Sequence, residues 1–383
     1  MQDREILFFL QTLNGIGKIT TDRLWEYFGD WKALFQASEK ELQPLLKSSQ
    51  LRAFLRERER RDLTEELKRL EKNGIFYYSG VDEGYTERLR TIADSPMGIF
   101  VKGSLPREKQ LLISIVGTRR HSYYGEKQTK IFSRIIAQRG IPVISGMARG
   151  IDGIAQQTAI EYGGDTYAIL GCGVDICYPE EHKHLSEEIV KQGGIISEYP
   201  PGTIPAPGLF PRRNRIISAL CDVLLVMEAR EKSGTLITVD MALEQGKEIR
   251  VLPGRVDDPL SIGCNRLIRQ GADILPSTEE FEKELEELCE KYGYPCRREE
   301  GRESESRDVM GEEWKSSGGE LSLIEKAIAA SLDYQPLSLT AVYERMDMES
   351  RKRYTIQQVS IALMNLCVKK LAKQIGSNYY IRC

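Results

Sequence analysis

Two short stretches of this 383-residue sequence carry residue types that suit the binding of a polyanion. The first, from Ile113 to Asp152, reads ISIVGTRRHSYYGEKQTKIFSRIIAQRGIPVISGMARGID; the second, from Phe210 to Arg215, reads FPRRNR. Ile113–Val116 is a short, β-branched run of the kind buried on both faces of a parallel sheet. It ends at Gly117, Thr118 and Arg119. A second such run, Val143 and Ile144, leads into Ser145 and Gly146 and then Arg149-Gly150-Ile151-Asp152. Small residues let a ligand approach the backbone, where N–H groups and a fixed cation suit phosphate. In the second stretch three arginines, Arg212, Arg213 and Arg215, and Asn214 stand just ahead of the apolar Ile216, Ile217 and Leu220, so fixed donors lie near the start of a helix. Arg212 and Arg215, three apart, share a helix face. Ser233, Gly234 and Thr235 form a third small, polar strand-to-helix turn. The strands end along one carboxyl edge, where open α/β sheets bind ligands.

Other chemistries fit less well. Gly171-Cys172-Gly173 follows a strand but has Ile176 where a dinucleotide fingerprint needs its third glycine, and Tyr178-Pro179 interrupts the helix that should follow. None of His121, His182 or His184 stands beside a clear nucleophile, so no catalytic set is assigned. Eight cysteines without a CxxC pair argue against zinc, and no other metal or cofactor is expected. The formal charge of −3 means that any polyanion site is a local cluster. No signal-peptide pattern is seen and no segment approaches the roughly 20 apolar residues of a membrane span, so the cytoplasm is the expected location.

The elements that must position these loops alternate strand and helix from Leu111 to about residue 292, which predicts an α/β fold, a doubly wound parallel sheet. Strands are expected at 113–117, 142–145, 165–170, 194–198, 222–228 and 248–252, with Ile75–Tyr78 and Gly98–Val101 extending one side. Residues 1–72 read as an all-helical domain. Its Asn14-Gly15-Ile16-Gly17 turn admits both a helix-hairpin-helix that meets DNA phosphate and a plain helical turn. Leu51–Lys72 reads as one charged helix with a solvated face. The sheet domain spans 73–292, and 293–319 is a charged, Ser/Gly-rich linker. Residues 320–383, with three helical patterns and a hairpin signal at Gly376-Ser377-Asn378, suggest a winged-helix domain, which binds DNA or protein.

With these residues laid out, the chain resembles the bacterial DNA-processing protein A (DprA, or Smf) family. The matching features are GTR at 117–119, SGMARGID at 145–152, GCGVDICYP at 171–179, ISEYPPGT at 196–203, FPRRNRIIS at 210–218, SGTLIT at 233–238, LPG at 252–254 and GCNRLIRQGA at 263–272. The resemblance implies a Rossmann-like domain that binds single-stranded DNA without sequence preference, usually as a homodimer. It also implies loading of RecA recombinase onto incoming strands in natural transformation, with single-strand-binding protein displaced and no catalysis. By that similarity Gly117, Thr118 and Arg119 contact DNA, joined by Ser145, Gly146, Arg149, Arg212, Asn214 and Arg215. Ala219-Leu220-Cys221 departs from the family's usual Gly-Leu-Ser, and Asp257-Asp258 puts acid near the LPG loop. The competing reading is a nucleotide-cleaving enzyme of the lysine decarboxylase-like group, marked by PGGxGTxxE. Here Thr238 stands at the glutamate's place and Asp240 two residues on.

The composition of 293–319 yields a first prediction. Limited trypsin digestion should cut there first, and a chain ending near Tyr292 should fold and bind single strands. First cuts inside the central sheet would place the boundary elsewhere.

Overall fold

Short, continuous runs rich in Ile, Val and Leu form strands buried on both faces. The computed structural model describes residues 1–294, 321–332, 336–369, 371–375 and 378–382. These fall into two units, Met1–Arg297 and Arg298–Cys383. In the first, nine strands form one sheet: β1 (Ile75–Ser79), β2 (Gly98–Gly103), β3 (Ile113–Val116), β4 (Val143–Ser145), β5 (Thr166–Ile169), β6 (Gly193–Ser197), β7 (Val223–Val226), β8 (Glu248–Val251) and β9 (Asp273–Ile274). Their order is β1-β2-β6-β5-β4-β3-β7-β8-β9. Pairing is parallel from β6 to β9, and β1 and β2 add antiparallel at one edge. The chain steps outward from β3 through β4, β5 and β6, then returns to lay β7 on the other side of β3. The switch point of this doubly wound sheet is therefore between β3 and β7.

Six helices precede the sheet: α1 (Asp3–Thr12), α2 (Lys18–Phe28), α3 (Trp31–Gln36), α4 (Glu39–Leu42), α5 (Ser48–Arg60) and α6 (Leu63–Lys72). The sheet's own helices are α7 (Glu87–Arg90), α8 (Tyr123–Gln138), α9 (Ile151–Glu161), α10 (Lys183–Gln192), α11 (Leu209–Leu220), α12 (Gly234–Glu244), α13 (Ile262–Arg269) and α14 (Thr278–Lys291). Alternation decides which face each strand residue serves. Ile113, Ile115, Val223 and Leu225 pack with α8, α9 and α14, while Val116, Leu224 and Val226 pack with α11, α12 and α13. Tyr294 closes the unit, its hydroxyl donating to the Gly140 carbonyl. The rest of the expected linker lies outside the described residues.

The N-terminal helices share a core with the antiparallel edge. Phe8 of α1 meets Tyr77 and Phe100 edge-on, with ring centroids 5.3 and 6.2 Å away. Gln11 donates to the carbonyls of Gly98 and Glu198 and accepts from the Tyr77 hydroxyl. Five consecutive residues, Ile6–Leu10, are buried, so α1 is enclosed on all sides instead of showing one apolar face. The charged run expected to be one helix is two. Asp62 accepts from the Glu65 N–H and caps α6, and the chain turns at Arg61. Nor is the face of that run simply solvated. Arg61 lies over the rings of Phe8 and Phe9 and pairs with Glu66, while Arg58 donates to the carbonyls of Phe35 and Ala37.

The second unit contains α15 (Leu323–Ser331), β10 (Leu337–Ser338), α16 (Leu339–Arg345), α17 (Met348–Arg353), α18 (Ile356–Val368), β11 (Ala372–Ile375) and β12 (Tyr379–Arg382). Its antiparallel sheet has the order β10-β12-β11. Ile328, Val342, Leu363, Leu366 and Tyr380 form its core. One helix more than the periodicity suggests is present, because Asp347 accepts from the Ser350 N–H and starts α17. The Gly376-Ser377 part of the hairpin signal lies outside the described residues. Among the described residues no helix is long and apolar enough to cross a membrane.

Candidate nucleic-acid interface

The loops after β3, β4 and β5 meet the start of α11 around a small pocket. Arg119, Gly146, Ala148, Arg149, Leu170, Gly171, Cys172, Tyr178, Pro179, Phe210 and Arg213 line it. The exposed guanidinium of Arg119 stands over the Phe210 ring, 5.6 Å from its centroid. Tyr178 lies 5.4 Å from Phe210, centroid to centroid, at an interplanar angle of 34°. The site thus sets a cation against an aromatic pair at the carboxyl edge of a parallel sheet. A cation over an exposed ring is worth about 0.5–1 kcal/mol, and the same faces can stack a base.

Arg213 holds this arrangement from below. It is buried, and Nη1 donates to the carbonyls of Gly146 and Ile169, joining the ends of β4 and β5, while Nε donates to Asn214. A Cβ on Gly146 would collide with the guanidinium, so glycine here makes room for arginine. Burial pushes the Arg213 pKa down to about 10 and raises that of the buried Asp152; the charge of each partly offsets the shift of the other. Asp152 accepts from the Gly146 N–H. Next to it Met147 takes a positive φ of 51°, its N–H donating to Gln156 and its carbonyl 3.1 Å from Nδ1 of His182.

The loops of the first stretch are pinned to each other. Thr118 accepts the Ile151 N–H on its carbonyl, and Gly150, at φ 78°, packs so closely on Thr118 and Arg119 that no side chain fits. A Cβ on Gly117 would strike Ile151. Of the predicted residues, Arg119, Gly146 and Arg149 line the pocket. Arg149 is exposed but engaged in a bidentate pair with Glu181, at 2.7 and 2.8 Å. Arg212 is exposed at the start of α11, and Asn214 is half-buried beside Arg213.

Other predicted residues are turned elsewhere. Ser145 is fully buried and donates to the Ile115 carbonyl between strands. Ser233 caps α12 by accepting the Thr235 N–H; it does not line the pocket, and neither do Gly234 and Thr235. Arg215 points away from it, buried against Glu198 and Asp94 with N–O distances of 2.8 and 2.9 Å, its third nitrogen on the Arg212 carbonyl. The charges that Arg215 would offer to a ligand are spent inside the fold. Phe210, Tyr178 and Arg213 are among the pocket residues that the loop motifs did not assign to the site. The signal lay in spacing: Phe210 and Arg213 are three apart and so share the inner face of α11. Thr238, at the position of the cleaving enzymes' glutamate, is buried, and Asp240 is exposed on the far side of α12's first turns.

Arg215→Ala should therefore act on the fold. Removing one member of a buried pair strands Glu198, a loss of about 3–5 kcal/mol. Urea unfolding of the variant against the parent chain measures it; an unchanged midpoint would show the pair to be dispensable.

The sheet and its edge have known counterparts. A crystal structure of DNA processing protein A from Streptococcus pneumoniae superposes with a TM-score of 0.63 at 30% identity, covering 74% of this chain and 98% of that one. The corresponding protein from Helicobacter pylori, whose single-stranded DNA binding mode has been determined, gives 0.50 at 29% identity over 55% of this chain and 96% of that one. In sequence, protein Smf of Escherichia coli is 41% identical over 205 residues, 53% of this chain and 55% of that protein. The chain thus spans about half the length of that relative. DNA processing protein DprA of S. pneumoniae is 38% identical over 210 residues, 55% of this chain and 74% of that protein. Residues 77–286, more than half of the sequence and the whole of the pocket, match the family described as DNA recombination-mediator protein A, and the chain belongs to that family.

Proposed function

We propose that this chain binds single-stranded DNA without sequence preference through the Arg119–Phe210–Tyr178 pocket. The observation that carries the reading is the guanidinium of Arg119 standing over Phe210 with Tyr178 alongside. One group meets phosphate, the others meet the flat face that every base has, and neither reads base identity. A flexible single strand can lead a nucleotide into so narrow a recess, whereas a duplex keeps its bases paired. The single-stranded DNA binding of the H. pylori relative supports the same reading. Family membership and the resemblance in the motifs support its further steps. The chain acts in the cytoplasm as a homodimer, loads RecA recombinase onto the strand in natural transformation, and displaces single-strand-binding protein. The second unit, proposed to be a winged helix, serves DNA or a protein partner.

The chain does this without turning over nucleotide, because Thr238 puts a buried hydroxyl where a cleaving enzyme of similar fold needs a carboxylate. Fluorescent oligo-dT and mixed-sequence single strands, titrated across salt, test the proposal, with a nucleoside monophosphate assay for released base run beside them. Affinity should fall with a log–log slope of about −0.7 per phosphate neutralised. Arg119→Ala should weaken every sequence alike and flatten the slope by under about one unit. Phe210→Ala should cost roughly 1–3 kcal/mol through lost stacking, with most of the slope kept. A change of sequence preference at constant slope, or base release lost on Arg119→Ala, overturns the reading.

A further inference from the structure

We propose that Glu228 is a positioning residue that presents Arg119 to the bound strand, an inference resting on the phosphate role of Arg119 given above. Glu228 follows β7 at the switch point, beside the end of β3, where Met227 N–H donates to the Val116 carbonyl. Its carboxylate is almost completely buried, at 1% exposure. The two oxygens separately accept the Ser122 backbone N–H, at 3.0 Å, and the Ser122 hydroxyl. Ser122 in turn caps α8 by accepting the Gly125 N–H at 3.0 Å. A Cβ on Gly125 would overlap the carboxylate, so the first turn of α8 is shaped around Glu228. Burial raises its pKa, and the two Ser122 bonds work against that rise.

The consequence concerns the segment between two anchors. At one end Thr118 is tied to the start of α9 through Ile151, and at the other Ser122 is tied to β7 through Glu228. Only Arg119, Arg120 and His121 lie between. A short loop fixed at both ends presents its arginine without an ordering cost on binding, whereas one released at Ser122 must be ordered by the ligand. The buried anion therefore favours the binding of another anion nearby, opposite to what its own charge does through space.

That opposition supplies the test. In the full chain, Glu228→Gln removes a negative charge close to a phosphate site and replaces one acceptor by a donor, with little change in shape. Positioning predicts that oligo-dT binding weakens about three- to tenfold. It also predicts a salt slope falling toward that of Arg119→Ala, and a double variant no weaker than Arg119→Ala alone. Ser122→Ala, which removes the hydroxyl bond to Glu228 and leaves the backbone N–H bond in place, should lower the slope in the same direction by a smaller amount and serves if Glu228→Gln does not fold. Unchanged or tighter binding by Glu228→Gln, or losses that add in the double variant, would overturn the proposal while leaving the pocket reading intact. An Arg119→Ala variant that binds like the parent would instead remove the pocket reading itself.

Discussion

A guanidinium enclosed by protein is the constraint that the carboxyl edge of this sheet is built to meet. Arg213 is 5% exposed and cannot be left without acceptors or a counter-charge. The carbonyls of Gly146 and Ile169 and the side chain of Asn214 supply the acceptors, and Asp152 supplies the charge. Each partner brings its own requirement. Gly146 must lack a Cβ, Asp152 must begin α9 facing inward, and the loop between them bends through Met147 at a positive φ. Because Arg213 fixes the rotation of α11 against β4 and β5, it also fixes Phe210 one turn earlier on the same face. The aromatic side of the pocket is thus set by a charge held inside the protein.

The parts legible in the sequence were those governed by local period. Strand positions follow from runs such as Ile113–Val116 and Val223–Val226, and the sheet's doubly wound order follows from their alternation with helices. What spacing could not supply was the direction in which a helix turns its arginines. Arg212 and Arg215 do share a face in principle, yet Arg215 is claimed by Asp94 and Glu198, which lie 121 and 17 residues earlier. Arg213, between them, becomes the inner residue. Tertiary partners at such separations leave no periodic trace. Arg61 shows the same limit on the N-terminal side: it looks like one more charge in a polar run, but the rings of Phe8 and Phe9 take it in.

Helix starts are also occupied from within. The glycine turns suggested backbone N–H groups waiting for phosphate, the arrangement used by dinucleotide-binding sheets of this topology. Instead Ser122 and Glu228 take the start of α8, Asp152 lies at the start of α9, and Ser233 caps α12. The crevice between β3 and β7, where such a sheet would hold a nucleotide, contains the protein's own carboxylate. The pocket lies one strand over, at the loops of β3, β4 and β5, and is lined by side chains in place of free helix-start N–H groups.

That displacement suits a polymer better than a nucleotide. A site made of one exposed arginine and two rings holds one unit of a chain weakly, and a strand gains by repeating phosphate contacts along its length. The chain's net charge of −3 supplies no long-range pull on a polyanion, so in the proposed role the pocket acts at short range. Arg149, although exposed at its rim, is matched to Glu181, and a phosphate that recruits it must first displace that carboxylate. Exposed pairs are worth about 0–1 kcal/mol, so the exchange is inexpensive but nearly neutral. Arg119 faces an aromatic ring in place of a carboxylate, so the two arginines are told apart by their neighbours and not by their motifs.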